Sequence, residues 1–171
     1  MTRQLDVVIA MPAFNEEATL SRFVAEISEA FEDIAHQIVI LNDCSTDNTE
    51  TTLQFLARDY PLIFQSNMKN FGHGPTTIGA LRLASELGSK LIVATDGDGN
   101  IRGASLRSLY DHAVMVKTPK IIEGVRTQRS DPWFRKLATA ATRLLVWFHS
   151  GVTPHDANTP FRAYPAEHLR N

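Results

Sequence analysis

Two aspartates, Asp96 and Asp98, stand one residue apart directly after the apolar run LIVAT. Carboxylates at the end of a buried strand are costly unless a positive group lies between them. Gly97 and Gly99 allow the backbone to bend so that both carboxylates can face one point, and Asn100 adds a neutral oxygen. Hard oxygen ligands without His or Cys suit Mg²⁺ or Mn²⁺. The pattern therefore predicts a divalent-metal site formed by Asp96, Asp98 and Asn100.

The same residue types are common in solvated turns, which is the main alternative for this segment. A calcium loop of the EF-hand type would need Gly at its sixth and Glu at its twelfth position, where Ile101 and Arg107 stand. A phosphatase of the haloacid dehalogenase type carries D-x-D after its first strand, whereas this pair follows the fourth predicted strand. A Mg²⁺-dependent phosphohydrolase is therefore a secondary alternative only.

Strands and helices alternate along the chain. Short runs rich in β-branched residues predict strands at 5–11, 37–41, 62–66, 91–95 and 120–124. Apolar residues at helical spacing lie between them, and the third helix is predicted to face inward with Ile78, Leu81, Ala84 and Leu87. Strands that are apolar on both faces favour an α/β fold, with a mostly parallel sheet flanked by helices on both faces.

Polar, turn-forming stretches follow four of the predicted strands. In open α/β sheets, ligands bind beyond the carboxyl ends of the strands, so these stretches should converge on one rim. The rim is acidic, which suits an anion carried in by a metal, or the ribose and base of a nucleotide. The four stretches are PAFNEE at 12–17, NDCSTDNT at 42–49, DGDGN at 96–100 and EGVR at 123–126.

Composition narrows the class of protein. The chain has 171 residues, a formal net charge of −2 and one cysteine, which predict a single domain in a reducing compartment with no general attraction to nucleic acid. The most apolar stretch, LATAATRLLVWFHSGV, is interrupted by Arg143 and His149 and is too short for a membrane span. The N-terminus leads straight into a folded pattern and does not resemble a signal peptide.

Six stretches together resemble family 2 glycosyltransferases with the GT-A (Rossmann-like) fold. Within that family they are similar to the branch of dolichol-phosphate mannosyltransferases and other polyprenyl-phosphate glycosyltransferases. The stretches occur in the family's order over nearly the whole chain: VVIAMPAFNEEATL, IVILNDCSTDNTE, NFGHGPTTIGAL, VATDGDGNI, EGVR and DANTPFRAY.

The resemblance implies a donor site for a UDP- or GDP-sugar. Asp43 matches the aspartate that hydrogen-bonds the base, and Asn100 stands where relatives carry a Gln that reaches the metal. The D-x-D pair would hold Mg²⁺ or Mn²⁺ together with the donor diphosphate. The residues implied for donor binding are Pro12, Phe14, Glu16, Leu41, Asp43, Asp96, Gly97 and Asp98.

The resemblance also implies a reaction, the inverting transfer of a sugar to an acceptor. Arg126 matches a basic residue near the donor phosphates, and Asp156 matches an acidic residue at the catalytic centre. A polyprenyl phosphate is the expected acceptor and needs little help from a base. A hydroxyl acceptor would use a carboxylate such as Asp156 as general base, and the sequence leaves both open. A nucleotide-sugar-binding module without turnover is the other alternative.

Several residues have simpler interpretations. Asp47 and Glu50 are spaced like a capping box at the start of a helix, and Glu17 is typical of a first helical turn. His73 lies between two glycines, which indicates a close backbone approach. Residues 134–148 form a basic and apolar stripe that is expected to face the core, with a membrane surface as the alternative.

Further expectations concern the whole protein. The resemblance predicts a cytoplasmic location, with peripheral contact at the inner face of a membrane and a homodimer left open. The chain is expected to be one catalytic domain, 1–171, that lacks C-terminal elements. Three positions depart from the family's pattern: Asn42 where many relatives have Asp, Cys44 where Gly is usual, and Pro160 in place of a Gly.

Overall fold

A computed structural model describes residues 4–116, 120–124 and 161–169 of the chain. Its strands are β1 (Val7–Ala13), β2 (His36–Asn42), β3 (Leu62–Ser66), β4 (Leu91–Ala94), β5 (Ile122–Glu123) and β6 (Arg162–Pro165). Its helices are α1 (Glu17–Ala30), α2 (Thr49–Asp59), α3 (His73–Glu86) and α4 (Gly103–Met115), and a 3₁₀ helix follows at Ala166–Leu169. The predicted alternation of strands and helices is confirmed.

The strands form one six-stranded sheet in the order β3-β2-β1-β4-β6-β5. The first four strands are parallel to one another, whereas β6 is antiparallel to both β4 and β5. The mostly parallel sheet predicted from the sequence is confirmed. β6 is absent from the sequence-based prediction because its four residues, RAYP, contain no apolar run, and only Ala163 and Pro165 are buried.

Helices cover both faces of the sheet, as predicted. All seven residues of β1 are buried, and its side chains alternate between two apolar clusters. Val7, Ile9 and Met11 pack in the larger cluster with residues of α1, α2 and α4. Val8 and Ala10 pack in the smaller cluster with residues of α3. Such alternation is what a strand in the middle of a covered parallel sheet requires.

The inward face of α3 differs from the predicted one. Ala84 is buried as expected, but Ile78 is 53% exposed. The buried residues of the helix are Thr76, Ala80 and Ala84. Small side chains allow α3 to lie close to the sheet, so that packing rather than hydropathy sets the face that turns inward.

The carboxyl ends of β1, β2 and β4 lie side by side. The register pairs Pro12 with Leu41 and Ala13 with Asn42, and Thr95, just after β4, donates its N–H to the carbonyl of Ala10 at 3.1 Å. The loops that follow these three strands therefore start from one edge of the sheet. Across the helices in the described part of the chain, none combines the length and hydropathy needed to cross a bilayer.

Candidate functional site

A cavity of about 450 Å³ opens at the carboxyl ends of β1, β2 and β4. Its volume is within the range of small-molecule sites. The predicted donor-binding residues that line it are Pro12, Phe14, Glu16, Asp43, Asp96, Gly97 and Asp98. The structure thus brings together all of that predicted set except Leu41. The remaining lining residues are Ala13, Asn70, Gly72, His73 and Thr76.

Asp43 is a firmly held carboxylate of the cavity. It is 2% exposed and accepts three hydrogen bonds, from the Asn67 amide at 2.8 Å, the Phe71 N–H at 2.9 Å and the Gly72 N–H at 2.8 Å. Burial alone would raise the pKa of Asp43, but these donors stabilise the ionised form more strongly, so the pKa lies below its usual range. Asp43 therefore contributes a fixed negative charge to the wall.

Leu41 lies two residues before Asp43 but does not line the cavity. Its side chain is 7% exposed and belongs to the smaller apolar cluster, together with Ala80 and Ala84 of α3. The structure places Leu41 beneath the site, where it supports α3.

Asp96 and Asp98 lie in the loop that follows β4, and both line the cavity. Gly97 between them is required by space, because a Cβ there would come within 2.4 Å of the Pro12 carbonyl oxygen. The loop can therefore pack directly on the end of β1. Any larger residue at this position would push Asp96 and Asp98 away from the other wall.

Asn100 does not line the cavity. Its backbone N–H donates to Asp98 Oδ1 at 3.0 Å, and its side-chain amide donates to Asp98 Oδ2. Asn100 therefore orients Asp98 and does not itself lie on the cavity wall.

The carboxylate oxygens of this loop suit a divalent cation that is also coordinated by a bound ligand. The described residues contain no cluster of three or more His, Cys, Asp or Glu side chains arranged to hold a metal. Mg²⁺, however, is typically held by one or two carboxylates together with substrate phosphates. Two carboxylates on one wall of an open cavity fit that pattern, and Mn²⁺ accepts the same hard oxygen ligands.

His73 is the one basic side chain among the described residues that line the cavity. Its Nε2 lies 3.4 Å from Asp96 Oδ1. Gly72 before it has a φ of +86°, a conformation that directs the Gly72 N–H to Asp43. Gly72 brings its N–H to Asp43, but a Cβ at Gly72 or Gly74 would meet nothing within 4 Å, so the close packing of the backbone predicted from GHG is not found. The sequence did not reveal that the imidazole would lie beside Asp96.

The stretch EGVR is described only as far as Gly124. Glu123 forms an ion pair with Arg162 of β6, with Oε1 and Nη2 3.1 Å apart, and the Gly124 N–H donates to the Phe161 carbonyl at 2.9 Å. The pairing brings the stretches EG and FR together beside β4. Arg126, Asp156, Pro160 and the stripe at 134–148 lie outside the described residues.

Comparison with known proteins identifies one family along most of the chain. A family model described as glycosyl transferase family 2 matches residues 8–165. Among curated proteins, the chain is 23% identical over 166 residues to undecaprenyl-phosphate 4-deoxy-4-formamido-L-arabinose transferase of Aeromonas hydrophila subsp. hydrophila. That match covers 92% of this chain and 48% of the relative. The chain thus spans about half the length of the curated relatives it matches.

Solved structures show the same fold at low sequence identity. Glucosyl-3-phosphoglycerate synthase from Mycobacterium tuberculosis, in complex with UDP, superposes with a TM-score of 0.69 at 18% identity over 95% of this chain and 57% of that one. Mannosyltransferase PcManGT from Pyrobaculum calidifontis, in complex with GDP-Man and Mn²⁺, gives a TM-score of 0.59 at 18% identity over 98% and 46%. Both are glycosyltransferases of the GT-A fold, which confirms the predicted fold class.

Proposed function

Because the chain belongs to glycosyl transferase family 2, we propose that it transfers a sugar from a nucleotide-diphosphate donor bound in the cavity at the ends of β1, β2 and β4. The observation that carries the proposal is the meeting of Asp43 with Asp96 and Asp98 on one cavity of about 450 Å³. A nucleotide sugar has a base to be recognised at one end and a charged diphosphate at the other. The cavity offers a fixed carboxylate for the first and a carboxylate pair for the second.

In the proposed orientation, the base lies near Asp43 and the diphosphate near Asp96 and Asp98. Phe14 lies at the entrance with 45% of its surface exposed, so that its ring can pack on a planar base. Glu16 is oriented by the Thr19 hydroxyl, which donates to its carboxylate at 2.8 Å, and can accept from the ribose hydroxyls. His73, whose Nε2 lies 3.4 Å from Asp96 Oδ1, can donate to a phosphate oxygen.

Asp96 and Asp98 would hold Mg²⁺ or Mn²⁺, with Asn100 orienting Asp98. When bound, the cation supplies positive charge that offsets the negative charge developing on the leaving diphosphate. The chain's own contribution is to fix both carboxylates on one wall and to hold the nucleotide between Asp43 and Glu16. Arg126 is proposed to add a second positive charge near the same phosphates.

The proposed transfer inverts the anomeric centre by direct attack. An acceptor oxygen forms a bond to the anomeric carbon as the bond to the diphosphate breaks, and the nucleotide diphosphate leaves with that electron pair. The curated relative described above is named as an undecaprenyl-phosphate transferase, which supports a polyprenyl phosphate as acceptor here. Such an acceptor is already an anion, so Asp156 would act as general base only for a hydroxyl acceptor.

The test begins with nucleotide binding. UDP and GDP are titrated calorimetrically into the protein with and without Mn²⁺, with UMP and GMP as matched controls that lack the β-phosphate. We expect one base to be preferred, and we expect Mn²⁺ to strengthen binding of the diphosphate much more than that of the monophosphate. Binding of neither diphosphate under any condition would overturn the proposal.

Transfer is tested with the preferred nucleotide as UDP-Glc, UDP-GlcNAc or GDP-Man and a polyprenyl phosphate in detergent micelles. A glycolipid product of inverted configuration supports the full proposal. Donor binding without transfer to any acceptor would instead indicate a nucleotide-sugar-binding module. Phosphate release from a simple phosphomonoester would indicate the phosphohydrolase, against which the family match already argues.

A further inference from the structure

Three consecutive residues after β1 donate backbone hydrogen bonds to side chains of the loop after β2 and of the first residue of α2. Each donor lies 30 to 33 positions before its acceptor in the sequence, and each of the three N–H groups has an acceptor of its own. The contacts are Asn15 N to Ser45 Oγ at 3.0 Å, Glu16 N to Thr49 Oγ1 at 2.9 Å and Glu17 N to Asp47 Oδ2 at 3.2 Å.

The second loop returns hydrogen bonds to the first. Thr46 donates its N–H to Asn15 Oδ1 at 2.8 Å and its hydroxyl to the same oxygen at 3.3 Å. Asn48 donates its N–H and its side-chain amide to the carboxylate of Glu17 at 3.0 and 3.1 Å. We call this reciprocal set, formed by residues 15–17 and 45–49, the loop clasp.

One residue of the clasp, Asn15, and Cys44, which directly precedes residues 45–49 of the clasp, lie in the left-handed region of backbone conformation. Asn15 has a φ of +56° and Cys44 a φ of +58°. Asparagine tolerates this conformation better than most residues do, and at Asn15 it also provides the side-chain oxygen that Thr46 contacts. Asn15 thus meets both requirements of this turn, its backbone shape and its link to the other loop.

The clasp connects the two walls on which the proposed donor nucleotide depends. Phe14 and Glu16 flank Asn15 and line the cavity on the β1 side. Asp43 precedes Cys44 and lines it on the β2 side. The Asp43 N–H donates to the Ala13 carbonyl at 2.8 Å and joins the two walls directly. The contacts of Asn15 add a further link between them, although Asn15 itself is exposed and does not line the cavity.

We propose that Asn15 is a positioning residue for the donor nucleotide, which acts by holding the loop after β2 against the turn after β1. The inference rests on the proposed function, since it concerns how well the same cavity binds UDP or GDP. A purely structural Asn15 would affect the free energy of unfolding only. A positioning Asn15 also affects nucleotide affinity at temperatures where the protein is fully folded.

Two substitutions separate the roles of the side chain and the backbone. Asn15→Gly keeps the left-handed conformation accessible but removes the oxygen that Thr46 contacts. Asn15→Asp keeps an acceptor oxygen and adds a negative charge. High salt screens the repulsion between this charge and the other carboxylates of the loop clasp. Arg107→Ala is the control for stability alone. Arg107 contacts the Ala30 carbonyl and Asp33 at the end of α1, together with Asp111 of its own helix α4, and none of these lines the cavity.

The experiment measures the Kd of each variant for UDP and GDP with Mn²⁺ at low and high salt, alongside denaturant unfolding. We expect Asn15→Gly to raise the Kd of the preferred nucleotide about tenfold, the equivalent of about one lost hydrogen bond. Asn15→Asp should return close to the wild-type Kd at high salt. Arg107→Ala should lose stability and keep the wild-type Kd.

Two results would overturn the inference while leaving the proposed function standing. One is wild-type affinity in Asn15→Gly, and the other is a Kd that rises equally in Asn15→Gly and Arg107→Ala. If the wild-type protein bound neither nucleotide, the proposed function would fall and the inference with it.

Discussion

The loops after β2 and β4 both carry aspartates into one cavity, but they hold them in different ways. Asp43 is 2% exposed and receives its hydrogen bonds from residues 24 to 29 positions away. Asp98 is partly exposed, and within the described part of the chain it accepts hydrogen bonds from Asn100, two residues on. The first carboxylate is held by hydrogen bonds from another loop, and the second accepts its hydrogen bonds from within its own turn.

The difference indicates which end of the proposed donor would bind to a part of the site that is already ordered. A group fixed before the ligand arrives costs little further ordering on binding. In the proposed function, Asp43 would fulfil that condition for the base, whereas Asp96 and Asp98 would be completed as a site by a cation and the donor phosphates. We therefore expect substitutions at Asp43 to affect both folding and binding, and substitutions at Asp98 to affect binding and transfer alone.

The largest effect is expected for Asp98→Asn. Removing one carboxylate of the pair should lower transfer at least about 100-fold, because charge stabilisation by a bound cation contributes several kcal/mol. The free energy of unfolding should stay at the wild-type value. Transfer rates with Mn²⁺ and denaturant unfolding check both parts, with Asp59→Asn on the exposed end of α2 as the matched control. Full transfer by Asp98→Asn would show that the loop after β4 is a solvated turn.

Asp43→Asn tests the other side of the comparison. The substitution places an amide nitrogen where the Phe71 or Gly72 N–H now finds an acceptor, so a partly buried donor loses its partner. We expect the free energy of unfolding to fall by about 1–3 kcal/mol, together with weaker binding of the preferred base. Denaturant unfolding and calorimetry measure the two effects. A variant that keeps its stability but loses base binding would contradict the view that Asp43 is fixed by folding.

Gly97→Ala tests whether the loop after β4 depends on its contact with β1. A Cβ at this position would lie 2.4 Å from the Pro12 carbonyl oxygen, so the loop must shift and carry both aspartates with it. We expect a loss of about 1–3 kcal/mol in stability and weaker Mn²⁺-dependent binding. Gly74→Ala is the matched control, since a Cβ there meets no atom within 4 Å. Equal effects of the two substitutions would show that the contact with Pro12 is unimportant.

The sequence predicted the strands and the rim because their signals are local. The run LIVAT followed by DGDGN contains both the buried strand and the turn that ends it. Asp47 shows which contacts cannot be predicted from the local sequence. It was predicted to cap α2, and its Oδ1 does accept the Thr49 N–H at 3.0 Å, although Asn48 occupies the N-cap position. Its other oxygen accepts from Glu17, thirty residues away, and no spacing rule predicts such a contact.

The features missed from the sequence depend on tertiary placement. β6 is recognisable only once Ala163 is placed beside Val93 of β4. His73 joins the site because α3 begins at the cavity, and the residue itself looks like any polar loop residue. The contacts that fix Asp43 come from Asn67, Phe71 and Gly72 in the loop after β3. Their identity as partners requires knowing that β3 lies beside β2.

A smaller effect is expected from pH. The pKa of Asp43 is lowered in the folded protein, so the stability it contributes is complete above the unfolded-state pKa of about 4 and is lost as pH falls through the lower folded-state value. The difference in free energy of unfolding between wild type and Asp43→Asn should therefore shrink as pH falls below about 4. Denaturant unfolding over a pH series measures it. A difference that is constant down to the lowest pH would contradict the lowered pKa.

The smallest effect is expected for Cys44→Gly, in the same fixed loop as Asp43. A left-handed φ of +58° costs a residue with a Cβ about 1–2 kcal/mol. Glycine avoids this cost, but it loses about 0.5–1 kcal/mol of stability because its unfolded chain has greater entropy. The free energy of unfolding should thus rise by about 0.5–1 kcal/mol, with nucleotide affinity unchanged. Asn15→Gly, at a φ of +56°, is the informative partner because it also loses the contact with Thr46. A gain at Cys44 without a gain at Asn15 would show that the two left-handed residues differ in what holds them, backbone strain at one and the loop clasp at the other.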